Sequence, residues 1–179
     1  MKRVFIAIPI SEEIKATLVP LLNELDGLDA GFKIVKPENL HFTVKFLDEV
    51  NDQQLEEIKR RLSPFIFSPF FINLNKIGYF AIADLIKVLW IGAEDKNLVK
   101  LIEQVQALFK DIREEECHKI VPHLTLARMK FKQNQDLLKQ FIIKHQHDSF
   151  GRMEINKFVL YESILTPNGP IYHKLYTFG

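Results

Sequence analysis

Two short stretches of this chain repeat one pattern: a histidine, an apolar residue, a threonine and another apolar residue. They are His41-Phe42-Thr43-Val44 within LHFTVKFLDEV and His123-Leu124-Thr125-Leu126 within PHLTLARMK. Imidazole is the side chain whose ordinary pKa lies near neutrality, so a pair can serve as acid and base together. Each such role is worth roughly 10²–10⁴ in rate, or about 3–5 kcal/mol of barrier. Hydroxyls two residues further on can donate to the oxygens of an anion held between the rings. A phosphodiester suits the set: water attacks phosphorus on one side, an alkoxide leaves on the other, and cations steady the equatorial oxygens.

Both stretches read as strands, whose side chains alternate between faces. His41, Thr43 and Lys45 then share one face, and Phe42, Val44 and Phe46 the other. In the second stretch His123 and Thr125 share a face, opposite Leu124 and Leu126. Strict alternation sends Arg128 to the apolar side, and a strand end or a bulge would turn it back beside the histidines. Thr43, Thr125 and Lys45 are expected to bind the anion around the acid-base pair His41 and His123, with Arg128 joining them where the strand departs from strict alternation.

Other chemistries have less behind them. His118, His145, His147 and His173 lack the pattern and read as surface or structural, and Lys130 and Lys132 as a solvated edge. A catalytic zinc typically needs three protein ligands, and no Asp, Glu or Cys sits beside either motif on the histidine face, so no metal and no cofactor is expected. Gly-rich phosphate loops and serine-nucleophile motifs are absent.

The formal charge of +1 over 179 residues argues against a protein that coats long nucleic acid, while leaving room for one that reads an end. The single Cys117 permits no internal disulfide or cysteine metal cluster, which fits a reducing, cytoplasmic setting. MKRVFIAIPISEE is too short an apolar run for a signal peptide, and no run approaches the ~20 residues of a membrane span. Fifteen Phe and 47% hydrophobic residues indicate an aromatic-rich core. A monomer is expected.

The elements that must position the motifs follow from periodicity. RVFIAI is a strand ended by Pro9. Ser11 caps a helix with Ile14, Leu18, Leu21 and Leu25 on its stripe, and Pro20 predicts a kink or break. FKIV is a short strand, and the first motif strand follows. A second helix spans about Asp52 to Leu62, then one strand runs from about Phe70 through PFFINLNKIGYF, and another over LIKVLWIGA. Asn97 to Ile112 is the clearest helix, ahead of the second motif strand. Gln135 to His145 is the fourth helix, RMEINKFVLYESIL one long strand, TPNGP a turn and IYHKLYTF the last strand.

Strand, helix, His-strand, helix, strand thus occurs twice, as an approximate repeat over 1–80 and 85–179 within one bilobal domain. The expected fold is α+β: two pseudo-symmetric lobes, each an antiparallel sheet backed by two helices, with one His-x-Thr-x motif from each lobe in a central groove. The two rings should then lie within ~15 Å of each other, so that one phosphate can reach both.

These residues resemble the 2H phosphoesterase superfamily, whose members carry one such motif per lobe. Within it the chain looks like the RNA 2',3'-cyclic phosphodiesterases, also called 2'-5' RNA ligases. The resemblance extends over RVFIAI, ENLHFTVKFLDEV, KVLWIGA, VPHLTLARMK and FVLYESILTPNGPIYHKL. It implies a metal-independent hydrolase that opens an RNA-terminal 2',3'-cyclic phosphate to a 2'-phosphate, and that can join RNA ends through a 2',5'-linkage. It also implies that His41 donates the proton to the departing 3'-oxygen, that His123 activates water, that Thr43 and Thr125 hold the phosphate, and that Arg128 is the motif's basic residue. One departure is Asp48, where the family frequently has Gly after FL; this alters a turn and leaves the His-Thr pair intact. The modest charge keeps a small cyclic nucleotide open as substrate, and a non-catalytic RNA-end binder is the other alternative. For stacking a base, Phe42 is on the wrong face, which leaves Tyr79 and Phe80.

Overall fold

The computed structural model describes residues 1–112, 120–167 and 169–179. Cys117 and His118 lie outside the described residues. Among the described residues, strands and helices follow one another as β1 (Lys2–Pro9), α1 (Glu12–Gly27), β2 (Phe32–Ile34), β3 (His41–Val50), α2 (Asp52–Leu62), β4 (Phe70–Asn73), β5 (Lys76–Ile82), β6 (Leu85–Gly92), α3 (Lys96–Ala107), β7 (His123–Met129), α4 (Gln135–His145), β8 (Arg152–Ile155), β9 (Phe158–Thr166) and β10 (Gly169–Phe178). A short 3₁₀ turn, Pro37–Asn39, leads into β3.

The helices begin where local chemistry satisfies their free N–H groups. Ser11 accepts from the Ile14 amide, and Asn51 and Gln54 form a reciprocal capping box at α2. Of the kink or break expected at Pro20, the break does not occur: helix α1 continues from Glu12 to Gly27. Proline removes one backbone hydrogen bond, but Leu18, Leu21 and Leu22 are buried on both sides of it, and Pro20 itself faces solvent. At roughly 1.5–3 kcal/mol for each buried leucine, that packing outweighs the lost bond. Helix α3 stops short of the expected Ile112. Leu108, Phe109 and Ile112 each bond three residues back, and Arg61 of α2 takes the Leu108 carbonyl at 2.9 Å.

An eight-stranded antiparallel sheet runs β10-β9-β1-β3-β7-β6-β5, with β2 added beside β7. Its two halves meet at β3 and β7 through the pair Phe42–Leu124, so the two lobes' sheets are continuous across the centre. Two stretches expected as single strands are divided. β4 and β8 pair with each other in a separate two-stranded sheet, after which β5 joins β6 and β9 joins β1. Each half thereby gains a strand that follows the β4–β8 pair, with Leu74 bonded to Phe150 and Gly151 at one crossing.

The helices α1 to α4 pack on one face. Gln106 of α3 donates to the Val44 carbonyl of β3, Arg61 of α2 pairs with Asp111 just beyond α3, and Lys144 and His145 of α4 hold Glu24 of α1. Helices therefore associate across the repeat, α2 with α3 and α1 with α4. One hydrophobic core spans both halves beneath them, while Phe5, Ala7, Val159 and Tyr161 form a small second cluster on the other face. That other face carries the histidines.

Candidate active site

The Phe42–Leu124 pair fixes the geometry of the site. Both residues are fully buried against the helices, so their neighbours His41, Thr43, His123 and Thr125 point the opposite way. Antiparallel register continued one residue each way sets His41 opposite Thr125 and Thr43 opposite His123. The histidines are then diagonal cross-strand neighbours, a relation that typically sets Cα atoms about 7–8 Å apart.

Each ring is oriented by the same local bond. His41 Nδ1 lies 2.7 Å from the Asn39 carbonyl, and His123 Nδ1 lies 2.8 Å from the Val121 carbonyl. A carbonyl only accepts, so each Nδ1 carries its hydrogen and each Nε2 is left for chemistry. Asn39 does a second job: its side chain donates to the Pro170 carbonyl at 3.0 Å, fastening the start of β10 beside His41.

Aromatic rings surround both imidazoles. Tyr172 meets His41 edge-on at 5.4 Å and 83°, with Phe5 at 5.1 Å on another side. Phe80 meets His123 edge-on at 4.9 Å and 90°, with Trp90 at 6.2 Å. The close approach of Trp90 needs Gly78 opposite it on β5, where any Cβ would run into the indole. Loss of hydration is the main reason that both histidines are pushed down, His41 to about 4. The carbonyl bonds oppose this shift, and the Arg128 charge adds to it at both rings. Burial also pushes the Tyr161 and Tyr172 phenols up.

Arg128 reaches this face because β7 carries a bulge. Leu89 pairs with Ala127 but Trp90 with Thr125, so Leu126 is an extra residue in the ladder. Leu126 and Ala127 both face the core, alternation resumes one step late, and Arg128 comes up beside Val88 on the histidine side, exposed. The same device overturns the expectation for Lys45. On β3 Ala7 pairs with Thr43 but Ile6 with Lys45, so Val44 is the extra residue. Lys45 then shares the face of Ile6, in the main core, and is only 7% exposed. Lys45 is turned away from the histidines.

The remaining expectations separate cleanly. Phe80 shares the histidine face, whereas Tyr79 lies one residue off it. His145 bonds Asp148 at 2.6 Å and Glu24 at 3.2 Å, a clamp between α4 and α1, while His147, His173, Lys130 and Lys132 are exposed. Among the described residues, no three His, Cys, Asp or Glu side chains group as metal ligands, and no helix is long and apolar enough to cross a membrane. Asp48 adopts φ 58°, a left-handed conformation that glycine takes without cost. Sequence reasoning missed Phe5, Tyr172, Trp90 and Asn39. Phe5, Tyr172 and Trp90 come from strands whose pairing no local pattern reveals, and Asn39 acts through a carbonyl that any residue would offer.

Two His-x-Thr-x strands paired at the centre of a duplicated α+β sheet define a paired-histidine phosphoesterase fold. The chain belongs to the LigT like phosphoesterase family, which matches it twice, over residues 8–90 and 91–172. It is 39% identical over 170 residues to the RNA 2',3'-cyclic phosphodiesterase of Methanocaldococcus jannaschii, covering 95% of this chain and 96% of that one. To the protein of the same description from Archaeoglobus fulgidus it is 38% identical over 177 residues, covering 98% and 99%. The crystal structure of a protein from Thermus thermophilus superposes with a TM-score of 0.82 at 28% identity, covering 98% of this chain and 96% of that one. The chain is thus a phosphoesterase of the 2H class.

Proposed function

We propose that this enzyme hydrolyses RNA-terminal 2',3'-cyclic phosphate to a 2'-phosphate without a metal. The observation that carries the reading is the cross-strand pairing that sets two histidines, two threonines and Arg128 on one face. The full-length relatives described as RNA 2',3'-cyclic phosphodiesterases support the substrate class.

The cyclic phosphate sits between the two Nε2 atoms. His123 Nε2 takes a proton from water as its oxygen bonds to phosphorus. On the opposite side the P–O3' bond breaks, and His41 Nε2–H delivers its proton to O3'. The products are a 3'-hydroxyl and a 2'-phosphate, with His123 protonated and His41 neutral until the two protons redistribute. Thr43 and Thr125 hydroxyls donate to the non-bridging oxygens, and Arg128 balances their charge. A 5'-hydroxyl in place of the water gives a 2',5'-linkage by the same transfers.

In the free enzyme, His41 at about 4 is almost wholly neutral at pH 7. The bound phosphodiester supplies the negative charge that restores its proton, so the acid is armed by its own substrate. The test is turnover of the four nucleoside 2',3'-cyclic phosphates and a short RNA with the same end, with chelator present and products identified. His41→Ala and His123→Ala should each lose roughly 10²–10⁴ in rate. Retention of more than about a tenth of the rate in either variant removes that histidine from its role. Turnover of the mononucleotides but not the RNA would make a small cyclic nucleotide the substrate, and binding with no turnover would make the protein an end binder.

A further inference from the structure

In-line displacement places the attacking water and the leaving O3' on opposite sides of phosphorus. O3' belongs to the terminal ribose, so the ribose and all RNA upstream of it must leave the site on the proton donor's side. A groove of about 950 Å³ opens on His41's side. It is lined by His41, Tyr172 and Tyr161, by Lys174, which pairs across from Tyr161, and by Arg152 and Lys157. Among the described residues, none from β5, β6 or β7, the strands around His123, lines it.

The lining suits a single-stranded polynucleotide. Tyr161, 8% exposed, stacks on Phe5 at 5.4 Å and 19°, and the less buried Tyr172 stands beside it at 6.3 Å. Base stacking on such rings tolerates any sequence. Arg152 lies over the Phe71 ring at 4.2 Å, and Lys157 and Lys174 are exposed, so these three cations are available along the lining. Four glutamates also line the groove: Glu12 pairs with Lys15 at 2.6 Å, and Glu154 accepts from the neutral Asn156 amide at 3.0 Å and keeps its charge. With Glu13 and Glu38 included, the four glutamates are matched by Lys15, Arg152, Lys157 and Lys174. The volume lies at the upper end of the roughly 300–1,000 Å³ range of pockets that hold drug-sized ligands, which is room for more than one nucleotide.

We infer that this groove is the subsite for the nucleotides immediately 5' of the cyclic phosphate, with a base against Tyr172 and Tyr161 and upstream phosphates on Lys157 and Lys174. The inference rests on His41 being the donor, as proposed above.

The experiment compares kcat/KM for a nucleoside 2',3'-cyclic phosphate with that for di-, tri- and tetranucleotides bearing the same end. Each is measured in the wild type, in Lys157→Glu/Lys174→Glu and in Phe80→Ala. Expected is a rise of about tenfold or more from one nucleotide to three, levelling off at four, that falls with added salt as phosphate contacts require. The double charge reversal should return the trinucleotide to near the mononucleotide value, while turnover of the mononucleotide reports that the variant is folded. Absence of any length dependence, or its persistence in the double variant, overturns the groove assignment. Loss of the length dependence in Phe80→Ala alone overturns it too, because the RNA would then leave past His123. All three outcomes are separate from the acid-base reading, which stands or falls on the histidine variants with the mononucleotide.

Discussion

The two motif strands, β3 and β7, start alike and finish differently. Both hold a histidine by the carbonyl two residues back, both place a threonine on the same face, and both insert a bulge at the residue after that threonine. The bulge shifts the alternation by one step in each, so the third residue after the threonine returns to the site. In β7 that residue is Arg128; in β3 it is Phe46, which packs against Phe5 at 6.1 Å. The residue returned to the site is therefore a cation on β7 and an aromatic ring, 46% exposed, on β3. The two halves of a duplicated scaffold thus differ in what occupies one position after a shared irregularity.

The comparison can be broken most directly at the histidines themselves, with the loss of roughly 10²–10⁴ stated above. Next in size is Arg128. Arg128→Gln removes the charge brought up by the bulge, and a fall in kcat of about 10²–10³ is expected if it stabilises charge that develops in the transition state. Its pseudo-equivalent provides the control: Phe46→Leu should change kcat by less than about threefold, since it removes ring packing and no charge. An equal loss at both positions would erase the distinction between the sides.

The pH dependence sharpens the same contrast. Burial and Arg128 depress His41 in the free enzyme to about 4, and a bound anion raises it. The acid must be protonated, so its pKa sets the basic limb. The basic limb of kcat, which reports the complex, should lie at higher pH than that of kcat/KM, which reports the free enzyme. Coincident limbs would mean that substrate does not restore the proton. Smaller still is the effect of Asn39→Ala, which keeps the carbonyl that orients His41 but removes the tie to Pro170. A hydrogen bond of net ~1 kcal/mol implies a loss of about fivefold. As a positioning residue, Asn39 should also move the basic limb of kcat, through the Tyr172 contact with His41; a rate loss with an unmoved limb would make its role purely structural.

Much of this was legible in the sequence, for identifiable reasons. Helices α2 and α4 have the expected limits because an apolar stripe and residues at the ends mark them within a few positions, as with Asn51 and Gln54. The four His and Thr residues of the site were legible because alternation is local. The bulges were not. Nothing in VKF or LAR announces an unpaired residue, and the bulge reversed the expected places of Lys45 and Arg128. Nor did FINLNKIGYF show that its two ends pair with different sheets, since both are equally good strands and only the partners β8 and β6 tell them apart. The extent of α3 was overestimated because a tertiary contact, Arg61 to the Leu108 carbonyl, helps to end it.

The division of labour between the two rings is best tested by changing the leaving atom. A nucleoside 2',3'-cyclic phosphate with sulfur at the 3' bridge expels a thiolate, which needs no proton to depart because a thiol's pKa is near ~8.5. His41→Ala should then recover to within about tenfold of the wild type, since general-acid help of roughly 10²–10⁴ is no longer needed. His123→Ala should stay as impaired as with oxygen. Recovery of His123→Ala, or of neither variant, would contradict the assignment of His41 as the acid.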